Sequence, residues 1–259
     1  MKKWILLVAG LAVMIFIFVG VYLWQENEDI QRPHYPAYDD TPIPSQDIVE
    51  ATPTPPTAVP EPAVSDTRQI RPQFEVLHQQ YNSDIIGHLI IEGTSIDYFV
   101  TQGQDNNFYL YHDIHRNPTN AGWVFLDHTN NIARPDRNTV IYAHNMRDGT
   151  RFNDITLFQC SEFFDQHRYI TFNTLYEDQL WEIFAFYRTD ITFPYIQVIF
   201  PFAQAFETLI AEMQSRSWHS TDIQLTADDR ILTLSTCATQ SGRDMRYVIN
   251  ARLVTQQGD

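Results

Sequence analysis

The chain has 259 residues, 44% hydrophobic and 14% aromatic, which suffices for one sizeable core. Its formal net charge is −15, which argues against nucleic-acid binding, a mode that depends on a basic face. An acidic surface is also not held by charge to an anionic membrane surface, so a covalent tether or a membrane anchor would serve it.

Lys2 and Lys3 precede an apolar run over residues 4–24 that contains no charged residue. Its length matches the ~20 residues of a membrane-spanning helix. Trp4, Tyr22 and Trp24 lie near its ends, where aromatic rings favour the membrane interface. A cleaved signal peptide is the alternative. The run is longer than the roughly 7–15 residues of a signal core, and no small-x-small site closes it. An uncleaved anchor over residues 1–24 is therefore expected. The lysines precede it and Glu26, Glu28 and Asp29 follow, which places the N-terminus in the cytoplasm and the rest outside the cell.

Residues 25–71 carry Pro33, Pro36, Pro42, Pro44, Pro53, Pro55, Pro56, Pro60 and Pro62 among Thr, Ser, Asp and Glu. Such a stretch buries too little apolar surface to offset its chain entropy, so it reads as a semi-rigid extracellular stalk.

Residues 72–259 form the patterned domain. Phe74, Leu77 and Tyr81 fall at helical spacing, and Asn82-Ser83-Asp84 stops the helix. Strands are predicted at residues 85–91, 96–101, 122–127, 139–144, 169–173, 180–189, 231–237 and 246–254. Two helices interrupt them. Residues 150–166 have an apolar face of Ile155, Phe158 and Phe163, and residues 203–216 one of Phe206, Leu209, Ile210 and Met213. Many short strands with turn signals give a mostly-β fold, a sandwich or a closed barrel.

Three strand ends carry reactive groups. Cys237 closes one strand, Arg246 opens the next, and His144 closes an earlier one. A thiol, an imidazole and a guanidinium so placed suggest acyl transfer through a thioester. The imidazolium would favour the thiolate and later protonate the leaving amine. The guanidinium would stabilise the oxyanion. Arg243 competes with Arg246 for that role but sits in the loop after Ser241-Gly242. A Cys160–Cys237 disulfide would consume the nucleophile, so Cys160, beside aromatic neighbours, is expected as a buried free thiol. His112 and His115 flank Asp113 without a clear third ligand, so neither a metal nor another cofactor is expected. A papain-like order would place the histidine after the cysteine, opposite to this chain. A non-catalytic adhesion domain would need none of the three groups.

Leu-Ser-Thr-Cys at 234–237, Ile-Tyr-Ala-His-Asn-Met at 141–146 and the arginine heading the last strand resemble the class B sortases. Tyr-Asn-Ser-Asp-Ile-Ile-Gly at 81–87 and Gln-Asp-Asn-Asn-Phe-Tyr-Leu at 104–110 extend the resemblance across residues 74–254. His88 departs from it, since many class B members have Trp there. The resemblance implies a closed barrel of about eight strands with peripheral helices, residues 203–216 being the helix before the cysteine strand. It implies that Cys237 is the nucleophile, His144 the general acid/base and Arg246 the oxyanion and substrate clamp. It places Asn106, Leu110, Tyr142, Ser235, Tyr195 and Ile196 in the substrate groove, although each also reads as ordinary packing.

The implied activity is that of a membrane-anchored cysteine transpeptidase. It would cleave a C-terminal Asn-Pro-x-Thr-x sorting signal on secreted proteins and join the acyl group to an amine of the peptidoglycan precursor (lipid II). A pilin-polymerising sortase, or a cysteine protease with water as acceptor, is the alternative. The sequence names neither the partner protein nor the amine.

Overall fold

β-Branched and aromatic residues crowd the eight patterned runs, and each run contains a strand. The computed structural model describes residues 68–134, 136–237 and 245–255, with Cys237 described by its backbone alone. The expected span at 4–24, nearly all of the stalk, and Arg243 lie outside the described residues. No helix among the described residues is long and apolar enough to cross a membrane.

In chain order the elements are α1 (Pro72–Gln80), β1 (Ile85–Ile90), β2 (Asp97–Thr101), β3 (Phe125–Leu126), β4 (Asn138–Tyr142), α2 (Ser161–Gln166), β5 (Tyr169–Thr174), β6 (Leu180–Asp190), α3 (Ala203–Arg216), β7 (Ile231–Cys237) and β8 (Met245–Leu253). Short 3-10 turns form at Phe108–Leu110 and Asn153–Gln159. The strands close into a barrel in the order β1-β2-β3-β4-β7-β8-β6-β5. β1 pairs with both β2 and β5 and so completes the ring.

Two apolar clusters hold it together. Leu89, Val100, Phe172, Trp181, Phe186 and Leu234 belong to the first, which includes residues of all eight strands and of α1 and α2. Phe206, Leu209, Ile210 and Met213 turn one face of α3 onto Phe184, Tyr187 and Val248. β6 therefore contributes to both clusters and reads as a nearly unbroken apolar run, as strands covered on two faces do. Each fully buried side chain of this size contributes about 1.5–3 kcal/mol.

The structure corrects four expectations. Residues 150–166 form no single helix: the 3-10 turn ends and α2 begins across Cys160, whose backbone is extended at φ −82°, ψ 126°. A continuous α-helix would set Phe164 about 120° around from Phe158; the break lets both bury completely with Ile155. Cys160 is exposed as a consequence, and its thiol lies 2.9 Å from Glu162 Oε2. The strand expected at 122–127 is only Phe125–Leu126. The N–H of Trp123 donates instead to the Tyr109 carbonyl at 2.7 Å, and Gly122 sits at φ +52°, so the preceding residues turn rather than extend. The strand expected at 139–144 stops at Tyr142 and leaves His144 two residues beyond its end.

Gly87 lies where the barrel closes, opposite Val100 on β2 and Thr174 on β5. A Cβ there would stand 2.5 Å from Phe172 Cε2 and 2.9 Å from the Asn173 carbonyl oxygen. Gly87→Ala is expected to lower stability by about 1–3 kcal/mol, the usual cost of overpacking. Thermal melts of the two proteins check this, and an unchanged midpoint would refute it.

Candidate active site

Register sets the site before any side chain does. β4 runs parallel to β7 with Tyr142 opposite Ser235, and β7 runs antiparallel to β8 with Cys237 opposite Arg246. Parallel neighbours end at one rim, and an antiparallel neighbour begins there. The β4 end, the β7 end and the β8 start are thereby brought together.

His144 is fixed just past β4. Its carbonyl accepts from the N–H of Phe152 at 3.0 Å, and the N–H of Ala143 donates to the Ser235 carbonyl at 3.3 Å. The Asn153 amide donates to Asn145 Oδ1 at 2.8 Å and ties the following turn. The imidazole Nε2 lies 2.9 Å from the Leu110 carbonyl. A carbonyl only accepts, so Nε2 carries a hydrogen and Nδ1 is the nitrogen left to gain or lose a proton.

A cleft of about 270 Å³ gathers Asn106, Leu110, Tyr142, His144, Tyr195, Ile196, Ser235 and Arg246. These are all the site residues singled out in the sequence except Cys237, whose side chain lies outside the described residues. Arg246 is half-buried, and its Nη1 donates to the Met245 carbonyl at 2.9 Å. Its backbone is paired on both sides, with Cys237 on β7 and Thr189 on β6. Of the apolar wall, sequence reasoning named Leu110 and Ile196 but missed Phe125, Ile191, Phe193 and Pro194. No local pattern marks these residues, because three of them sit in the β6–α3 connection that folds back over the sheet.

That connection is anchored from below. Asn138 Nδ2 lies 3.0 Å from each of the Tyr195 and Gln197 carbonyls, and Asn138 Oδ1 accepts from the Thr233 hydroxyl at 2.7 Å. Asn250 Nδ2 donates to the same Thr233 oxygen at 2.8 Å. Above this layer the Tyr195 hydroxyl and Ser235 Oγ lie 3.0 Å apart.

Asp127 is the other residue the sequence reading passed over. It follows β3 and is buried, and its carboxylate accepts from the Tyr142 phenol (2.8 Å), Asn106 Nδ2 (2.8 Å), the Thr129 N–H (2.8 Å) and the Thr129 hydroxyl (2.6 Å). Burial pushes its carboxyl up, but the hydrogen bonds from Thr129, Tyr142 and Asn106 outweigh burial and hold it below the usual carboxylate range. Burial and then the Asp127 charge push the Tyr142 phenol well above its ordinary value, so it stays a donor. An aspartate with a threonine two places on is the spacing of an Asx turn, the one signal that could have drawn attention to it.

A larger hollow of about 840 Å³ is lined by Asp84, Gln102, Arg116, His128 and Asn131 among others, and contains neither His144 nor Arg246. Its strongest charges are already matched, Asp84 with Arg116 at 2.7 Å. His112 stacks on Phe108 with ring centroids 4.1 Å apart, and His115 packs against Tyr81 at 5.3 Å.

Asn138→Ala removes the anchor of the connection and leaves two carbonyls and a buried hydroxyl without that partner. We expect a loss of about 1–3 kcal/mol in urea unfolding, together with faster proteolysis between β6 and α3. Wild-type values in both measurements would show that the connection is held otherwise.

Comparison with known proteins adds an independent line. The family profile described as the sortase domain matches residues 89–254. Sortase B of Listeria monocytogenes is 36% identical over 179 residues, 69% of this chain and 73% of its own. Sortase B of Staphylococcus aureus is 33% identical over 186 residues, 71% of this chain and 76% of its own. Among solved structures, a sortase B–substrate complex from Staphylococcus aureus matches with a TM-score of 0.68 at 32% identity, covering 73% of this chain and 88% of that one. A sortase B-like protein from Bacillus anthracis matches with a TM-score of 0.67 at 34% identity, covering 73% and 86%.

Proposed function

This chain belongs to the sortase family, in its class B, and is a cysteine transpeptidase of that type; from that premise we propose that Cys237, His144 and Arg246 carry the reaction. The observation that carries this reading is the register of Cys237 with Arg246 beside a cleft that His144 lines.

In the first half-reaction the Cys237 thiolate attacks the carbonyl carbon of the scissile bond. Negative charge develops on the carbonyl oxygen and is met by the Arg246 guanidinium, whose planar array of donors suits an oxyanion. The tetrahedral species collapses, the C–N bond breaks, and the leaving amine takes a proton from His144. The product is a thioester on Cys237. In the second half-reaction an acceptor amine attacks that thioester, gives a proton to His144, and the thiolate leaves.

The substrate is a C-terminal sorting signal of the Asn-Pro-x-Thr-x kind on a secreted protein, cut after Thr. Asn106, Leu110, Tyr142, Tyr195, Ile196 and Ser235 bind it, and their mixture of apolar side chains and polar termini suits an extended peptide. One solved relative of this fold is described as a substrate complex. The acceptor is an amine of the peptidoglycan precursor lipid II. Residues 4–24 span the membrane with the N-terminus in the cytoplasm, and the Pro-rich stalk holds the catalytic domain outside.

Arg246 is favoured over Arg243 because its backbone is laced into ladders on both sides, so a donor there loses little entropy on engaging the oxyanion. The test is turnover of a sorting peptide by the full chain with and without an added amine. Cys237→Ala is expected to abolish cleavage while retaining the fold, and retained cleavage would overturn the assignment. Arg246→Ala is expected to lower turnover about 10²–10³-fold, or roughly 3–4 kcal/mol. Arg246→Lys recovers only part of this, since an ammonium lacks the planar fork. Arg243→Ala stays near wild type; the reverse result would move the clamp into the loop. A transfer product that grows with added amine separates transpeptidation from hydrolysis.

A further inference from the structure

We propose that Asp127 is a positioning residue for peptide recognition: its buried carboxylate fixes which hydrogen-bonding groups Tyr142 and Asn106 present to the sorting signal. The proposal deepens the reading above and rests on it.

Asp127 is 5% exposed and is not among the residues that line the 270 Å³ cleft, so it acts through others. The two residues it holds both line that cleft, one on β4 and one in the β2–β3 connection. Its own place is set by the backbone, since its N–H donates to the Val140 carbonyl at 2.8 Å. Oδ1 is occupied by the Thr129 N–H and hydroxyl, and Oδ2 by the Tyr142 phenol and Asn106 Nδ2. Every bond to this carboxylate comes from a donor, which only an ionised acid satisfies on both oxygens. Its depressed pKa agrees with that.

The consequence for recognition is specific. Asn106 is held at both ends, because its Oδ1 accepts from the His128 N–H at 2.9 Å while one Nδ2 hydrogen goes to Asp127. What it retains is its second amide hydrogen, a donor for a peptide carbonyl. Tyr142 has given its only hydroxyl hydrogen to Asp127, so its oxygen faces a ligand as an acceptor, suited to a peptide N–H. Without the carboxylate the phenol hydrogen would be free to turn, and the Asn106 amide would be held by the His128 N–H alone. The cleft would then lose its polarity pattern while keeping its shape.

A residue that merely capped the 127–130 turn would affect stability and leave recognition alone. The experiment therefore measures KM and kcat for the sorting peptide on the full chain, alongside the rate at which a small methanethiosulfonate labels Cys237. In Asp127→Asn the side-chain amide has one acceptor oxygen and cannot serve both donor pairs. This variant is expected to raise KM about tenfold, as loss of a charge-assisted bond in a buried site does, with kcat changed less than about threefold and thiol labelling at the wild-type rate. In the Asp127→Asn, Tyr142→Phe double variant the effects should be less than additive, since both remove the same bond. Thr129→Val, which touches only Oδ1 and lies outside the cleft, should raise KM about two- to fivefold. It decides between the two roles if Asp127→Asn does not fold.

A folded Asp127→Asn with wild-type KM overturns the proposal, as does a parallel fall in kcat and thiol labelling, which would mean general disruption. Wild-type KM in Thr129→Val overturns it if that variant alone is measurable. A wild-type chain that labels at Cys237 but never turns over the peptide sinks the functional reading itself, and the proposal with it.

Discussion

The site depends on one constraint, the joint register of β4, β7 and β8. A slip of one residue in a strand sends its alternate side chains to the other face, and here it would also separate the rim groups. The buried layer of Asn138, Thr233 and Asn250 specifies that register. Any shift would leave amides and a hydroxyl unpaired away from water, at about 1–3 kcal/mol for each. The geometry is regular. Tyr142 lies four residues beyond Asn138, Cys237 four beyond Thr233, and Arg246 four before Asn250. Four residues of strand preserve the face and cover about 13 Å. Thr233 and Asn250 therefore face each other four residues below the Cys237–Arg246 pair, and Asn138 lies two residues deeper, opposite Ile231.

This explains why part of the site was legible in the sequence. The meeting of positions 237, 246 and 144 at one rim was readable because each stands at or just beyond an end of an apolar run, and strand ends gather once the runs pair. α3 was readable from Phe206, Leu209, Ile210 and Met213 because it covers a sheet with one face. The 3-10 turn and α2 were not, since Ile155, Phe158 and Phe163 read as one helical face while the chain breaks at Cys160 between them. β3 was overestimated because Trp123 is apolar but spends its N–H on Tyr109. Asn106 and Leu110 entered only through resemblance, as their meeting with Tyr142 arises from loop geometry. Asp127 was overlooked because an isolated acidic residue after a strand usually faces solvent, and only packing reveals that four donors converge on it.

The β6–α3 connection shows how stability and the wall of the cleft share one segment. Tyr195 is 4% exposed and belongs to the second apolar cluster, whereas its neighbour Ile196 is 42% exposed and Ile191 is 58% exposed. The segment thus rests on core packing and on two amide bonds from Asn138, yet turns apolar surface outward at the cleft. Such a wall is ordered before a ligand arrives, so less conformational entropy is lost on binding than with a free loop.

Hydrogen positions follow the same logic. The Leu110 carbonyl engages Nε2 of His144, and the Asp127 carboxylate engages the hydroxyl of Tyr142. Each of these acceptors is itself fixed, one by the 3-10 turn at Phe108–Leu110 and the other by the N–H of Thr129 and its own backbone bond to Val140. An imidazole and a phenol could otherwise present either a donor or an acceptor to the cleft. Their roles are decided by atoms one step behind the surface a ligand touches, so the donor and acceptor pattern of the cleft is a property of the barrel rim rather than of the individual side chains.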